Sequence, residues 1–140
     1  MITEDFVSFE IAKLLKEKGF PQNPNVCNTA YTFSGKLSNN AKSFVHNAAE
    51  FDKLGIKPLS YSMAPTLQMA MKWMREIHHY YIQVMLDSWA CGGHSGYYVV
   101  IQKTDSDFEM MLSDALDEVF YKTPEDAAEA AIKYCLTNLI

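Results

Sequence analysis

The stretch from Thr123 to Leu136, TPEDAAEAAIKYCL, carries the start signals of a helix with an apolar stripe behind them. Thr123 caps the free N–H groups, Pro124 suits the first helical position, and Glu125 and Asp126 place negative charge at the positive end of the helix dipole. Ala128, Ile132, Cys135 and Leu139 recur at i, i+4, i+7 and i+11, one stripe that has to be buried against a partner surface. Segments of strand character lie just upstream and supply that surface. The end of the chain therefore constrains architecture, and it carries no chemistry of its own.

Tyr80 to Asp87 alternates Ile82, Val84 and Leu86 against Tyr81, Gln83 and Met85, which predicts a strand with the first set buried. Trp89 to Gly96, with Gly92-Gly93, makes a turn, and Tyr97 to Thr104, rich in β-branched and aromatic residues, returns. Asp105-Ser106-Asp107 makes the next turn, after which Phe108 to Leu112 and Val119 to Tyr121 add further antiparallel edges. Upstream, Pro65 and Thr66 open a helix running from Leu67 to Ile77, with Leu67, Ala70, Met74 and Ile77 along one side. At the N-terminus Thr3 caps a first helix, with Glu4 and Asp5 in its first turn and Val7, Ile11, Leu14 and Leu15 as its stripe. Gly19 ends that helix, and Phe20 folds back on Leu15. Between 22 and 63 the pattern thins to an irregular strand at Tyr31, Phe33 and Leu37 and a short helix at Phe44, Ala48, Phe51 and Leu54, ended by Gly55. The sum is an α+β fold: an antiparallel meander of three or four strands with helices on one face, an αβββα core preceded by an N-terminal helix.

A chain of 140 residues, 49% hydrophobic, matches one ordinary domain, 1–140, able to bury roughly two thirds of its unfolded surface without staples. The opening Met1-Ile2-Thr3-Glu4-Asp5 is acidic where a signal peptide is basic, and no run approaches about 18 apolar residues. A soluble, cytoplasmic protein with no membrane association is expected. Cys27, Cys91 and Cys135 are an odd set at unrelated spacings, which argues for reduced thiols rather than a disulfide framework. The net charge of −5 is uneven: residues 105 to 140 hold nine acids against Lys122 and Lys133, or −7, and the first 104 residues are left at +2. That acidic half repels phosphate, so no nucleic-acid partner is expected.

Chemistry-bearing residues are sparse. Cys91-Gly92-Gly93-His94 offers two of zinc's four ligands in a turn, with His78 or His79 as further donors. Two ligands at that spacing are half a site, so neither a metal nor a cofactor is assigned. Cys91 as a nucleophile would draw on His94 as base and on the glycine amides. Asp114, Asp117 and Glu118 read as a solvated acidic loop, and no phosphate loop, nucleophile elbow or His-Glu-x-x-His occurs. Aromatic residues gather around the hairpin, and alternation sends one of each adjacent pair outward. Tyr81, Met85, Trp89 and Tyr98 then form a patch suited to a protein partner or to self-association.

Several segments together carry a resemblance: Ile2-Thr3-Glu4-Asp5-Phe6-Val7-Ser8-Phe9-Glu10, Ala12 through Phe20, Ala64-Pro65-Thr66-Leu67 through Lys72-Trp73-Met74-Arg75-Glu76, Thr123 through Ala127, and Ala131 through Leu136. They resemble a family of short uncharacterised proteins from prophages and mobile elements of gut bacteria. The resemblance covers both ends and the central helix and implies an accessory or host-interaction protein, with no catalytic residue to carry over. The order helix, three strands, helix is also similar to a double-stranded-RNA-binding domain, but Glu125 and Asp126 stand where that family needs lysines. The passage Tyr121 to Ala127 resembles the strand-to-helix passage of antitoxins with a partial ribonuclease-H-like domain, whose basic toxins an acidic surface would suit. The leading expectation is a non-catalytic interaction module. The alternatives are a small metal-binding or thiol-dependent hydrolase using Cys91 and His94, or an antitoxin-like binder of a basic toxin.

Overall fold

The computed structural model describes residues 4–55, 60–87, 96–112 and 120–140. They form an α+β fold with four α-helices and two three-stranded antiparallel sheets. The chain divides into two compact units, Phe6–Thr66 and the segment Leu67–Ile140 joined by Glu4 and Asp5.

In the first unit, α1 (Phe9–Glu17) starts later than Thr3 predicts. Residues 6 and 7 are drawn into strand-like pairing, Phe6 bridging Thr66 and the Val7 N–H donating to the Pro65 carbonyl at 3.0 Å. A backbone committed to a ladder cannot also be helical, so the cap falls to Ser8, whose Oγ accepts from the Ile11 N–H at 3.3 Å. The helix ends as its sequence predicts. Gly19 sits at φ +94°, the Phe20 N–H donates to the Leu15 carbonyl at 2.8 Å and the Gly19 N–H to that of Lys16 at 3.2 Å, with Phe20 and Leu15 both buried. The sheet has the order β2-β1-β3, from β1 (Ala30–Thr32), β2 (Leu37–Ser38) and β3 (Tyr61–Met63). Between the first two, Gly35 at φ +87° lies so close to the Phe9 ring that an added Cβ would meet it at 3.2 Å. Side chains tie the unit together: Thr29 Oγ1 donates to the Ala64 carbonyl at 2.6 Å and Tyr31 Oη to that of Val7 at 2.7 Å. Helix α2 (Ala41–Lys53), capped by Asn40, is the short helix expected around Phe44 to Phe51, and Gly55 follows it at φ +70°.

The second unit runs α3 (Leu67–His78), β4 (Tyr80–Asp87), β5 (Gly96–Lys103), β6 (Glu109–Leu112) and α4 (Pro124–Tyr134), which is the predicted αβββα order. The sheet is β4-β5-β6, with Ile82 opposite Ile101 and Val84 opposite Val99. Helix α4 packs on α3, β4 and β5, so both helices share one face of the sheet. The buried arc of α4 is wider than the predicted stripe: Ala127, Ala131 and Leu136 join Ala128, Ile132 and Cys135, while Leu139 is only half-buried. A helix touching both a sheet and a neighbouring helix has two surfaces to cover, and one stripe does not suffice. Past Tyr134 the helix widens into a π turn, Cys135–Leu139, closed by the Ile140 N–H on the Cys135 carbonyl at 3.1 Å.

Two predicted core positions are corrected. Ile77 is 60% exposed, because α3 ends one residue later and the chain reverses at His79, φ +64°, leaving the outer side of the last turn in solvent. Along β4 burial falls from Ile82, 7% exposed, to Leu86, 57% exposed, as helix cover runs out toward the strand's end. Thr123 Oγ1 accepts from the Asp126 N–H at 3.1 Å. Thr123→Ala is expected to cost about 1 kcal/mol, seen as a lower urea midpoint at unchanged slope.

Candidate functional site

The most consequential surface of the second unit is the outer edge of β4. The Tyr97 and Lys103 N–H groups donate toward Tyr121 and Phe108, so odd-numbered residues of β5 face β6 and even-numbered ones face β4. Since Gln102, Val100 and Tyr98 pair with Tyr81, Gln83 and Met85, the odd-numbered residues of β4 carry the bonds to β5. The backbone groups of Ile82, Val84 and Leu86 consequently point away from the sheet, where no strand among the described residues pairs with them. The Thr104 N–H on the His79 carbonyl, 2.7 Å, gives the same phase independently. This edge is eight residues long, contains no proline or bulge, and bears charge only at Asp87.

The same register fixes which side chains share the sheet face opposite the helices. Tyr81 and Met85, both predicted for a partner site, are each 40% exposed there. Tyr98 is on that face but half-buried, its ring edge-on to Phe120 at 6.2 Å. Met111 of β6, opposite Val100, is 65% exposed and joins the patch, although alternation along so short a segment gave no signal for it. Gln83 Nε2 donates to Gln102 Oε1, and Glu109 of β6, opposite Gln102, adds an exposed carboxylate to the same face. Arg75 lies over the Tyr81 ring at 5.7 Å.

The remaining candidates separate. Trp89, Cys91 and His94 lie outside the described residues, as do Asp114, Asp117 and Glu118. His78 is half-buried with its ring edge-on to Trp73 at 4.6 Å, and the adjacent His79 is exposed. No cluster of three or more His, Cys, Asp or Glu able to hold a metal occurs among the described residues. Burial pushes the Cys135 thiol up to about 12, and burial also raises Cys27, partly offset by hydrogen bonds with the backbone of Thr29 and Ala64. Both thiols are protonated at neutral pH, the form that is neither nucleophile nor metal ligand.

The first unit holds a groove of about 220 Å³ between α2 and its sheet. Phe44, Ala48 and Phe51 form one wall and Phe33 and Tyr61 the other, Phe44 stacking on Tyr61 at 6.1 Å. Of the predicted set Phe44, Ala48, Phe51 and Leu54, the first three line the groove, whereas Leu54, at the C-cap beyond the last helical turn, is 71% exposed, and only Ala41 of the helix is fully buried. A helix whose apolar face meets too few apolar partners leaves a groove where a core would be, and the sparse hydrophobic pattern of residues 22–40 was the available sign. A second cleft, containing Phe9, Lys13, Lys16 and Glu17 of α1, shares Thr32, Phe33 and Ser60 with the groove.

No protein-family model, curated protein or solved structure matches the chain. Among the described residues, no helix is long and apolar enough to cross a membrane.

Proposed function

We propose that this protein is a small non-catalytic interaction module, an accessory protein of prophage or mobile-element origin, that assembles with a second copy of itself along β4. The observation carrying this reading is the open edge: Ile82, Val84 and Leu86 aim their backbone groups outward along a long, nearly uncharged strand without proline or bulge. Proteins normally blunt such edges with charge, proline or bulges, and an unblunted edge is a template for strand addition. The strand is also self-complementary. Antiparallel pairing about Val84 sets Ile82 opposite Leu86 of the other copy, and Asp87 falls opposite Tyr81, so no like charges meet. Exposed Met85 and Leu86 supply apolar contact beside the new ladder.

The test is the molar mass in solution by light scattering across a dilution series, for the natural chain and for Val84→Pro. Proline is tolerated where the N–H faces outward, so the variant keeps its own sheet while blocking the edge. A dimer that weakens at least tenfold in Val84→Pro, from loss of inter-strand hydrogen bonds each worth about 1 kcal/mol, with circular dichroism unchanged, supports the reading. A chain monomeric at every concentration overturns it. So does a dimer indifferent to Val84→Pro.

A further inference from the structure

The groove of the first unit carries a separate inference. Its walls are aromatic and aliphatic, Phe33, Phe44, Ala48, Phe51 and Tyr61, with Thr32, Asn47 and Ser60 as the polar groups at its margin. An engineered apolar cavity of ~150 Å³ holds one benzene ring, so about 220 Å³ accommodates a ring with a short chain attached. What the body of such a ligand finds is settled by the apolar walls. What its end finds is set by the adjoining cleft, where Lys13 and Lys16 stand on α1 one turn apart. Lys16 marks the seam between the two: its Nζ donates to the Tyr61 carbonyl and lies 5.2 Å from the centre of the Tyr61 ring, and Tyr61 is itself a groove wall. Lys13 Nζ sits 4.6 Å over the Phe9 ring. Neither ammonium has an ion-pair partner among the described residues, and Glu17 is the one carboxylate lining the cleft, so its lining charge is net positive.

We infer that this groove is a binding site for a small amphipathic carboxylate, an arylalkanoate or short-chain fatty acid, with its apolar body between α2 and Tyr61 and its carboxylate at Lys16 and Lys13. Apolar walls with a few convergent polar groups are the usual anatomy of a small-molecule site. The lysines select an anion because a charge-assisted hydrogen bond is roughly twice as strong as a neutral one. The site lies wholly within residues 9–62, so its test is independent of β4 pairing.

The experiment is titration of the full chain with 3-phenylpropionate and, in parallel, with the neutral 3-phenylpropanol, following backbone amide resonances. Saturable shifts are expected at Phe33, Ala48, Phe51 and Tyr61, with the acid binding roughly ten- to a hundredfold more tightly, the span of one charged hydrogen bond. Lys13→Gln, which leaves the Lys16 bond to Tyr61 in place, should erode that preference, and Lys13→Gln with Lys16→Gln should erase it. Ala48→Trp, which fills the groove from an exposed helix, should abolish binding of both compounds while the amide spectrum stays folded. Shifts that never saturate, shifts lying away from the groove, or equal affinity for acid and alcohol would overturn the inference. Hexanoate binding at the same amides would extend it to aliphatic acids.

Discussion

Leu136→Ala is expected to lower the unfolding free energy by about 2–5 kcal/mol, the range for truncating a buried leucine, whereas Leu139→Ala, three residues on, costs ~1 kcal/mol or less. Leu136 is fully buried and Leu139 half-buried, the reverse of what the spacing i, i+11 from Ala128 implies. The surroundings place Leu136 toward the upper part of its range, because the last turn is held by several bonds and cannot collapse into a void. Ile140 N–H closes on the Cys135 carbonyl at 3.1 Å, Thr137 Oγ1 donates to Lys133 O at 2.7 Å, and Asn138 Nδ2 donates to Tyr134 O at 3.3 Å. From β4, Tyr80 Oη donates to the Leu139 carbonyl at 3.4 Å, satisfying one of the terminal acceptors a helix leaves open. Urea unfolding of both variants decides the matter. Equal losses would mean that the π turn does not direct Leu136 into the core.

The fold was legible in the sequence where local signals act alone. Elements with strong local signals were legible: the Gly19 ending of α1, the Thr123 cap of α4, and β4 from its alternation, which gave bounds of Tyr80 to Asp87 directly. Local signals fail where a distant segment competes for the same backbone. Thr3, Glu4 and Asp5 have the composition of a helix start, yet the Leu67 N–H takes the Asp5 carbonyl at 2.9 Å and Thr66 pairs with Phe6, so α1 waits for Ser8. Periodicity likewise reports which residues share a face and not whether anything covers it. Phe44, Ala48 and Phe51 line up as predicted and end as the wall of a groove. Leu86 keeps its parity with Ile82 and is still exposed. The candidate patch was readable at Tyr81 and Met85 because β4 is long enough for alternation to be unambiguous. The direction of the β4 backbone groups was not readable, since it depends on pairing with β5 and β6.

Stability at alkaline pH should fall with a component that belongs to Cys135 alone. Its side chain is fully buried, and burial pushes its thiol from 9.0 up to about 12. Below pH 9 the thiol is protonated in both the folded and the unfolded chain, and it contributes no pH dependence. Between pH 9 and 12 the unfolded chain releases this proton and the folded chain retains it, so unfolding is favoured progressively as pH rises. The slope from this one group is about 1.4 kcal/mol per pH unit, or roughly 4 kcal/mol accumulated by pH 12. The measured quantity is the difference between the natural chain and Cys135→Ala, which lacks the group, so that contributions common to both chains cancel. At neutral pH Cys135→Ala should be the less stable of the two, by the cavity a lost sulfur leaves. As pH rises that gap should shrink and then reverse, because only the natural chain carries the penalty. Iodoacetamide labelling with peptide mapping supplies a second readout: in the folded protein Cys135 should react at the rate of unfolding, and denaturant should accelerate it. Parallel pH profiles for the two chains, or rapid labelling of Cys135 in the folded state, would show that the thiol is not sealed in the core between α4 and the sheet.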